Sequence, residues 1–169
     1  MKTLKGKKRF VITITAIILA VATVSTLIYA LPVEGEEITS GKRVEIYARG
    51  IAKQKIENET VKMPVALKLT LYLGERHGPF TPITGAQGKL DVNGTVYAIT
   101  CGSGGVFHRK EQAFIRLSGT DYDNQTFTVR LYAEYFWMGG NWYVARSIGI
   151  LKTDVQTRLL LRAKAQVFP

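Results

Sequence analysis

Residues 126–151 read TFTVRLYAEYFWMGGNWYVARSIGIL, two runs of strand-forming residues on either side of Gly139-Gly140. Both glycines accept positive φ without steric penalty, which a two-residue type I′ turn requires, so the runs are expected to fold back as an antiparallel hairpin. A turn at that dipeptide sets a register. Met138 would sit across from Asn141, Trp137 from Trp142, Tyr135 from Val144, Ala133 from Arg146, Leu131 from Ile148 and Val129 from Ile150. All but one of these facing residues beyond the turn are apolar or aromatic, so the hairpin is expected to bury this face, with Arg146 as its single charge.

Working outward, the same period of two recurs along the chain. Val44, Ile46 and Ala48 alternate with polar or exposed neighbours, and a turn is expected near residues 57–60. Val65, Leu67, Leu69, Leu71 and Leu73 form the clearest half-buried strand, and Pro64 marks its start, where a missing N–H is tolerated. Residues 74–88 (GERHGPFTPITGAQG) carry two prolines and four glycines with no period, and read as a long loop. Asn93-Gly94 splits residues 89–101 into a hairpin, and residues 102–105 (GSGG) are expected to break the chain. Ala113, Ile115 and Leu117 start another strand, residues 121–124 turn, and Leu159, Leu161, Ala163, Ala165 and Val167 line one side of the last strand. About eight strands joined mostly by tight turns imply an all-β antiparallel meander, closed as an up-and-down barrel or folded over as a β-sandwich.

The first 33 residues are of a different composition. Lys2, Lys5, Lys7, Lys8 and Arg9 precede residues 10–33, which contain no charge. Such a run can cross the roughly 30 Å hydrocarbon layer as a helix, and the basic flank places the N-terminus in the cytoplasm with the rest outside. The organisation expected is a basic cytoplasmic N-terminus at 1–9, a transmembrane signal anchor at 10–32, a linker at 33–41 and an extracytoplasmic β domain at 42–169. The run exceeds an h-region of about 7 to 15 residues, which favours retention over cleavage of a signal peptide. Cleavage near Ala30 would instead yield a secreted domain.

A net charge of +10 resembles a nucleic-acid signal until it is divided. Five of the basic residues belong to the N-terminal flank, and after Val33 there are 18 basic and 13 acidic residues without a basic block. That pattern reads as a solvated surface, with no nucleic-acid partner expected. Cys101 is alone and cannot close an internal disulfide. Sequons at Asn58, Asn93 and Asn124, all in expected turns, are candidate glycosylation sites for an exported domain.

Arg146 is the residue most out of place. A bare buried guanidinium is prohibitively unfavourable, so three arrangements are open: a carboxylate such as Glu134 or Asp91 brought beside it, a register slip that puts it in water, or an anionic ligand. The last would make a pocket of Arg146 with Tyr135, Trp137 and Trp142 as aromatic walls. His77 and His108 have no metal-ligand spacing and read as exposed loop histidines, with no metal or cofactor expected. CGSGG at 101–105 lacks the first glycine and the strand-to-helix turn of a nucleophile elbow. The function expected is a non-catalytic, membrane-anchored module that binds an envelope component, a polymer or another membrane protein, with Trp137, Met138, Trp142 and Tyr143 as an aromatic patch. A barrel carrying a small anionic or amphiphilic ligand around Arg146 is the alternative, and a Cys101-dependent hydrolase the remotest.

Overall fold

The computed structural model describes residues 41–57 and 59–169. The expected cytoplasmic flank (1–9), signal anchor (10–32), most of the linker (33–41) and Asn58 lie outside the described residues. Among the described residues no helix is long and apolar enough to cross a membrane.

Eight strands follow one another: β1 (Arg43–Ile56), β2 (Glu59–Leu73), β3 (Phe80–Val92), β4 (Thr95–Phe107), β5 (Gln112–Thr120), β6 (Thr126–Gly139), β7 (Trp142–Lys152) and β8 (Gln156–Phe168), with a single 3-10 turn at His108–Lys110 between β4 and β5. Each strand pairs antiparallel with the next, and β1 pairs with β8 from Arg43↔Phe168 to Gln54↔Thr157, so the sheet closes as an up-and-down barrel. Closure rather than a sandwich leaves no strand edge unpaired.

Strand alternation decides what fills the barrel. The odd-numbered leucines of β2 point inward, as do Ala113, Ile115 and Leu117 of β5 and Leu159, Leu161 and Val167 of β8. Leu69, Leu90, Leu117 and Leu159 are out of solvent's reach at the centre. The edge-to-face pair of Tyr97 and Phe127, 5.2 Å apart, packs at one end. At the other, Phe80 lies 5.1 Å from Phe107 and Tyr135 lies 6.0 Å from Tyr143. At this second end an apolar cavity of about 70 Å³ lies inside the barrel beside Tyr135 and Tyr143.

Two expected breaks are strands instead. The loop proposed for 74–88 ends at residue 79, where β3 begins, and β4 runs unbroken through the glycines at 102–105. Those glycines are packing surfaces. A Cβ on Gly105 would fall 1.9 Å from the Phe80 ring, and one on Gly102 would fall 2.3 Å from the Cβ of Ala86. Register shifts in β3 at Thr84 and in β4 at Thr100 invert the alternation midway, which hides the period from a linear reading.

The opening hairpin also departs from its expected register. The two-residue turn is Gly140-Asn141, Gly139 pairs with Trp142, and Met138 is extruded as a bulge, 64% exposed. Gly139 at φ 127° and Gly140 at φ 56° make the bulge and turn accessible. Two contacts hold this arrangement: the Trp137 indole N–H donates to the Gly140 carbonyl at 2.9 Å, and the Asn141 side-chain amide donates to the Val167 carbonyl at 2.9 Å. Trp137 therefore faces Tyr143, and Tyr135 faces Ala145. The parity of β7 is inverted relative to expectation. Tyr143, Ala145, Ser147, Gly149 and Leu151 turn toward the interior, while Trp142, Val144, Arg146, Ile148 and Ile150 turn outward.

Candidate functional site

The bulge at Met138 has its largest effect on Arg146. In the inverted parity this residue stands on the outer wall, exposed, opposite Glu134 of β6 and Arg162 of β8. Arg162 in turn lies opposite Arg49 of β1. Three arginines thus occupy consecutive cross-strand positions, Arg49–Arg162–Arg146, on β1, β8 and β7. No guanidinium of the three forms an ion pair or side-chain hydrogen bond with a described residue, Glu134 included.

Like charges directly opposite one another destabilise a sheet. Two guanidinium groups about 6 Å apart in water repel by roughly 0.7 kcal/mol before salt screening. Their cost in isolation is small, and Glu134, opposite Arg146 alone, offsets only part of it. A bound anion would convert the repulsion into shared attraction, because each guanidinium offers planar paired donors to carboxylate or phosphate oxygens.

The row runs between two depressions of the wall. One, of about 840 Å³, lies on the side of Tyr47, Lys68, Lys164 and Phe136, and the Lys68 ammonium sits 5.4 Å from the centre of the Tyr47 ring. The other, of about 470 Å³, has the three arginines and Glu134 along one side and Ile51, Leu160, Ile148 and Tyr132 along the other. Charge is segregated around them. From residue 41 on there are 18 basic and 10 acidic residues, and most of the acids sit in turns or at strand ends, whereas Arg49, Lys53, Arg116, Arg130, Arg146, Arg158 and Arg162 lie along the wall. A dispersed charge pattern in the chain becomes a basic face in the barrel. On the lipid-facing surface of a membrane-spanning barrel each Lys or Arg at mid-depth would cost about 2 to 4 kcal/mol, which weighs against that placement for this wall.

The four residues expected to share a pocket do not share one. Arg146 lines both outer depressions, whereas Tyr135 lines the interior cavity with Tyr143, Ala133 and Val106. Trp137 packs against the core from the rim, and Trp142 stands outside at 42% exposure. The two tryptophans take opposite faces of their ribbon, so the interior arginine pocket is not formed, and of the expected aromatic patch Met138 and Trp142 are exposed while Tyr143 is buried and Trp137 packs on the core. The cavity beside Tyr135, at about 70 Å³, is also far below the roughly 300 to 1,000 Å³ of small-molecule pockets.

Tyr135 has a distinct peculiarity. Its hydroxyl is out of solvent's reach and has no hydrogen-bond partner among the described residues, and burial, aided by the nearby Glu111 carboxylate, pushes its pKa up to about 12. His108 is half-buried rather than an exposed loop residue: its Nε2 lies 2.8 Å from the hydroxyl oxygen of the fully buried Thr81. His77 is exposed. Cys101 is exposed on β4, seven residues from His108 along an extended chain, or about 23 Å, which leaves the thiol without that histidine as a base. No cluster of three metal-binding side chains occurs among the described residues. Asn93 and Asn124 are exposed in turns at the end of the barrel opposite Gly140-Asn141, with φ of 54° and 59°.

Arg49 and Arg162 were not legible as site residues. Each occupies a polar position of its own strand, and 113 residues separate them. Only the β1–β8 pairing that closes the barrel makes them neighbours. Fold and surface together define an eight-stranded antiparallel barrel with a filled interior and a cationic outer face. No family model matches the chain, and neither does any curated protein or solved structure.

Proposed function

We propose that this chain is a non-catalytic binding module whose working surface is the outer wall around Arg49, Arg162 and Arg146, and whose partner is an anionic component of the cell envelope. The observation that carries the reading is the row itself: three adjacent guanidinium groups that form no ion pair with a described residue, with Glu134 the one carboxylate directly opposite an end of the row. In this proposal residues 10–32 tether the module to the membrane as a single-pass anchor, and the barrel works outside the cytoplasm. Asn93 and Asn124 lie at one end of the barrel, so glycans there would leave the basic wall uncovered. The ligand-carrying alternative moves from the interior, which is filled, to the two outer depressions. A hydrolase has no support in the separation of Cys101 and His108.

The test is binding of the detergent-solubilised full chain to inorganic polyphosphate across a salt series, with the triple variant Arg49→Ala, Arg146→Ala, Arg162→Ala alongside. The wild type is expected to bind with an affinity that falls steeply as salt rises, and the triple variant to bind weakly with a shallower salt slope. Equal affinity and equal slope in the two proteins would refute the assignment of this surface.

A further inference from the structure

The basic row does not stand alone on its wall. Two residues further along the same three strands lie Ile51 on β1, Leu160 on β8 and Ile148 on β7, paired directly across the strands. Ile51 is 39% and Ile148 49% exposed. Two residues further again lie Lys53, Arg158 and Ile150, also cross-strand neighbours. With strands about 4.8 Å apart and residues about 3.4 Å apart, these positions form a grid roughly 10 Å by 14 Å: an apolar row with cations on both sides. No carboxylate falls within it, and Glu134 of β6 is the acid directly beside it. Tyr132 and Phe114, at 39% and 44% exposure, prolong the apolar row onto β6 and β5.

A water-soluble polyanion would use the cations and leave the apolar row facing water. A surface that offers phosphates and hydrocarbon at adjacent depths would use both, since long arginine and lysine stems reach headgroups while shorter apolar side chains enter the acyl boundary. The depression between the arginine row and the isoleucine row follows that division of chemistry: three guanidinium groups on one flank, with Glu134 at its β6 end, and Ile51, Leu160 and Ile148 on the other. We propose that this grid on β1, β8 and β7 is a docking surface for a lipid bilayer bearing anionic headgroups. The proposal rests on the reading of the arginine row as an anion site and adds the identity of the anion's carrier.

The experiment uses the full chain reconstituted in vesicles of zwitterionic lipid with or without phosphatidylglycerol. An environment-sensitive fluorophore is placed at position 148 (Ile148→Cys in a Cys101→Ser background), with Ile51→Cys in the same background as a second reporter. The control label sits on native Cys101, exposed on β4, the strand opposite β8 in the closed order. Quenching by lipids brominated along the chain is expected at positions 148 and 51, only with phosphatidylglycerol, and not at Cys101. The triple charge reversal Arg49→Glu, Arg146→Glu, Arg162→Glu is expected to weaken docking by roughly a hundredfold or more, since the loss of three attractions to an anionic surface alone gives about that factor and the new carboxylates add repulsion. Quenching that is equal at all three positions, indifferent to phosphatidylglycerol, or unchanged by charge reversal overturns the docking proposal. Retained polyphosphate binding without lipid quenching overturns it while leaving the anion-binding reading intact. Loss of both refutes the two together.

Discussion

Replacing Tyr135 by phenylalanine is expected to stabilise the barrel. The hydroxyl of Tyr135 has left water without gaining a partner among the described residues, and a buried polar group in that condition costs about 1 to 3 kcal/mol. The substitution deletes only that oxygen. The ring keeps its edge-to-face packing on Tyr143, with centroids 6.0 Å apart at 78°, and a wall position among Val106, Ala133 and Ala165. A gain of about 1 to 2 kcal/mol remains, which for a domain of this size raises the melting temperature by about 3 to 10 °C. Thermal and urea unfolding of the full chain, followed by circular dichroism, read it directly. The alkaline limb supplies a second check with a definite sign. The folded pKa of Tyr135, at about 12, stands above the ordinary value of 10.0 because burial and Glu111 disfavour the phenolate. The protonated hydroxyl therefore contributes stability relative to the unfolded chain that is fully present below pH 10 and is lost as pH rises from 10 toward 12. The phenylalanine variant should show a shallower decline over that window. A variant destabilised by 1 kcal/mol or more, with the alkaline decline unchanged, would refute the reasoning and mean that the hydroxyl is hydrogen-bonded in the folded protein.

Leu159 is inaccessible at the barrel centre, so Leu159→Ala should cost about 2 to 5 kcal/mol in urea denaturation, the range for emptying a packed core site. At Gly50 an added Cβ would fall 1.9 Å from the Leu160 carbonyl oxygen, a backbone atom that cannot swing aside; Gly50→Ala should cost about 1 to 3 kcal/mol and register as a lowered melting temperature. Asn141→Ala removes the amide donor to Val167 that ties the β6–β7 turn to β8 and should cost about 0.5 to 1.5 kcal/mol, with faster amide exchange confined to the 138–144 region by mass spectrometry. Cys101 is exposed and should react with a maleimide in the folded protein without a change in unfolding midpoint.

Much of this barrel was legible because a strand's two faces are written in its sequence. The leucines of residues 65–73, the run Leu159 to Val167 and the inner residues of β6 all went to the side their alternation implied. What defeated the linear reading was displacement by one residue. At Thr84 and Thr100 an extra residue swaps the faces midway, so residues 74–88 and 102–105 looked aperiodic though they are largely paired. At Met138 a third bulge moves the turn from Gly139-Gly140 to Gly140-Asn141. The two glycines allow either placement at similar cost. The choice is made by Asn141, whose side chain and carbonyl both bond to Val167, a residue remote in sequence.

The chain by itself determined an all-β body of about eight strands, because side-chain period and turn residues are local properties that survive any tertiary arrangement. Tertiary structure alone decided that the sheet closes rather than folds over, that Arg146 faces outward, and that Arg49, Arg162 and Arg146 stand side by side. The physical reason is that cross-strand adjacency depends on register, and register here is set by contacts between β7 and β8 and between the first and last strands, which no window of consecutive residues contains.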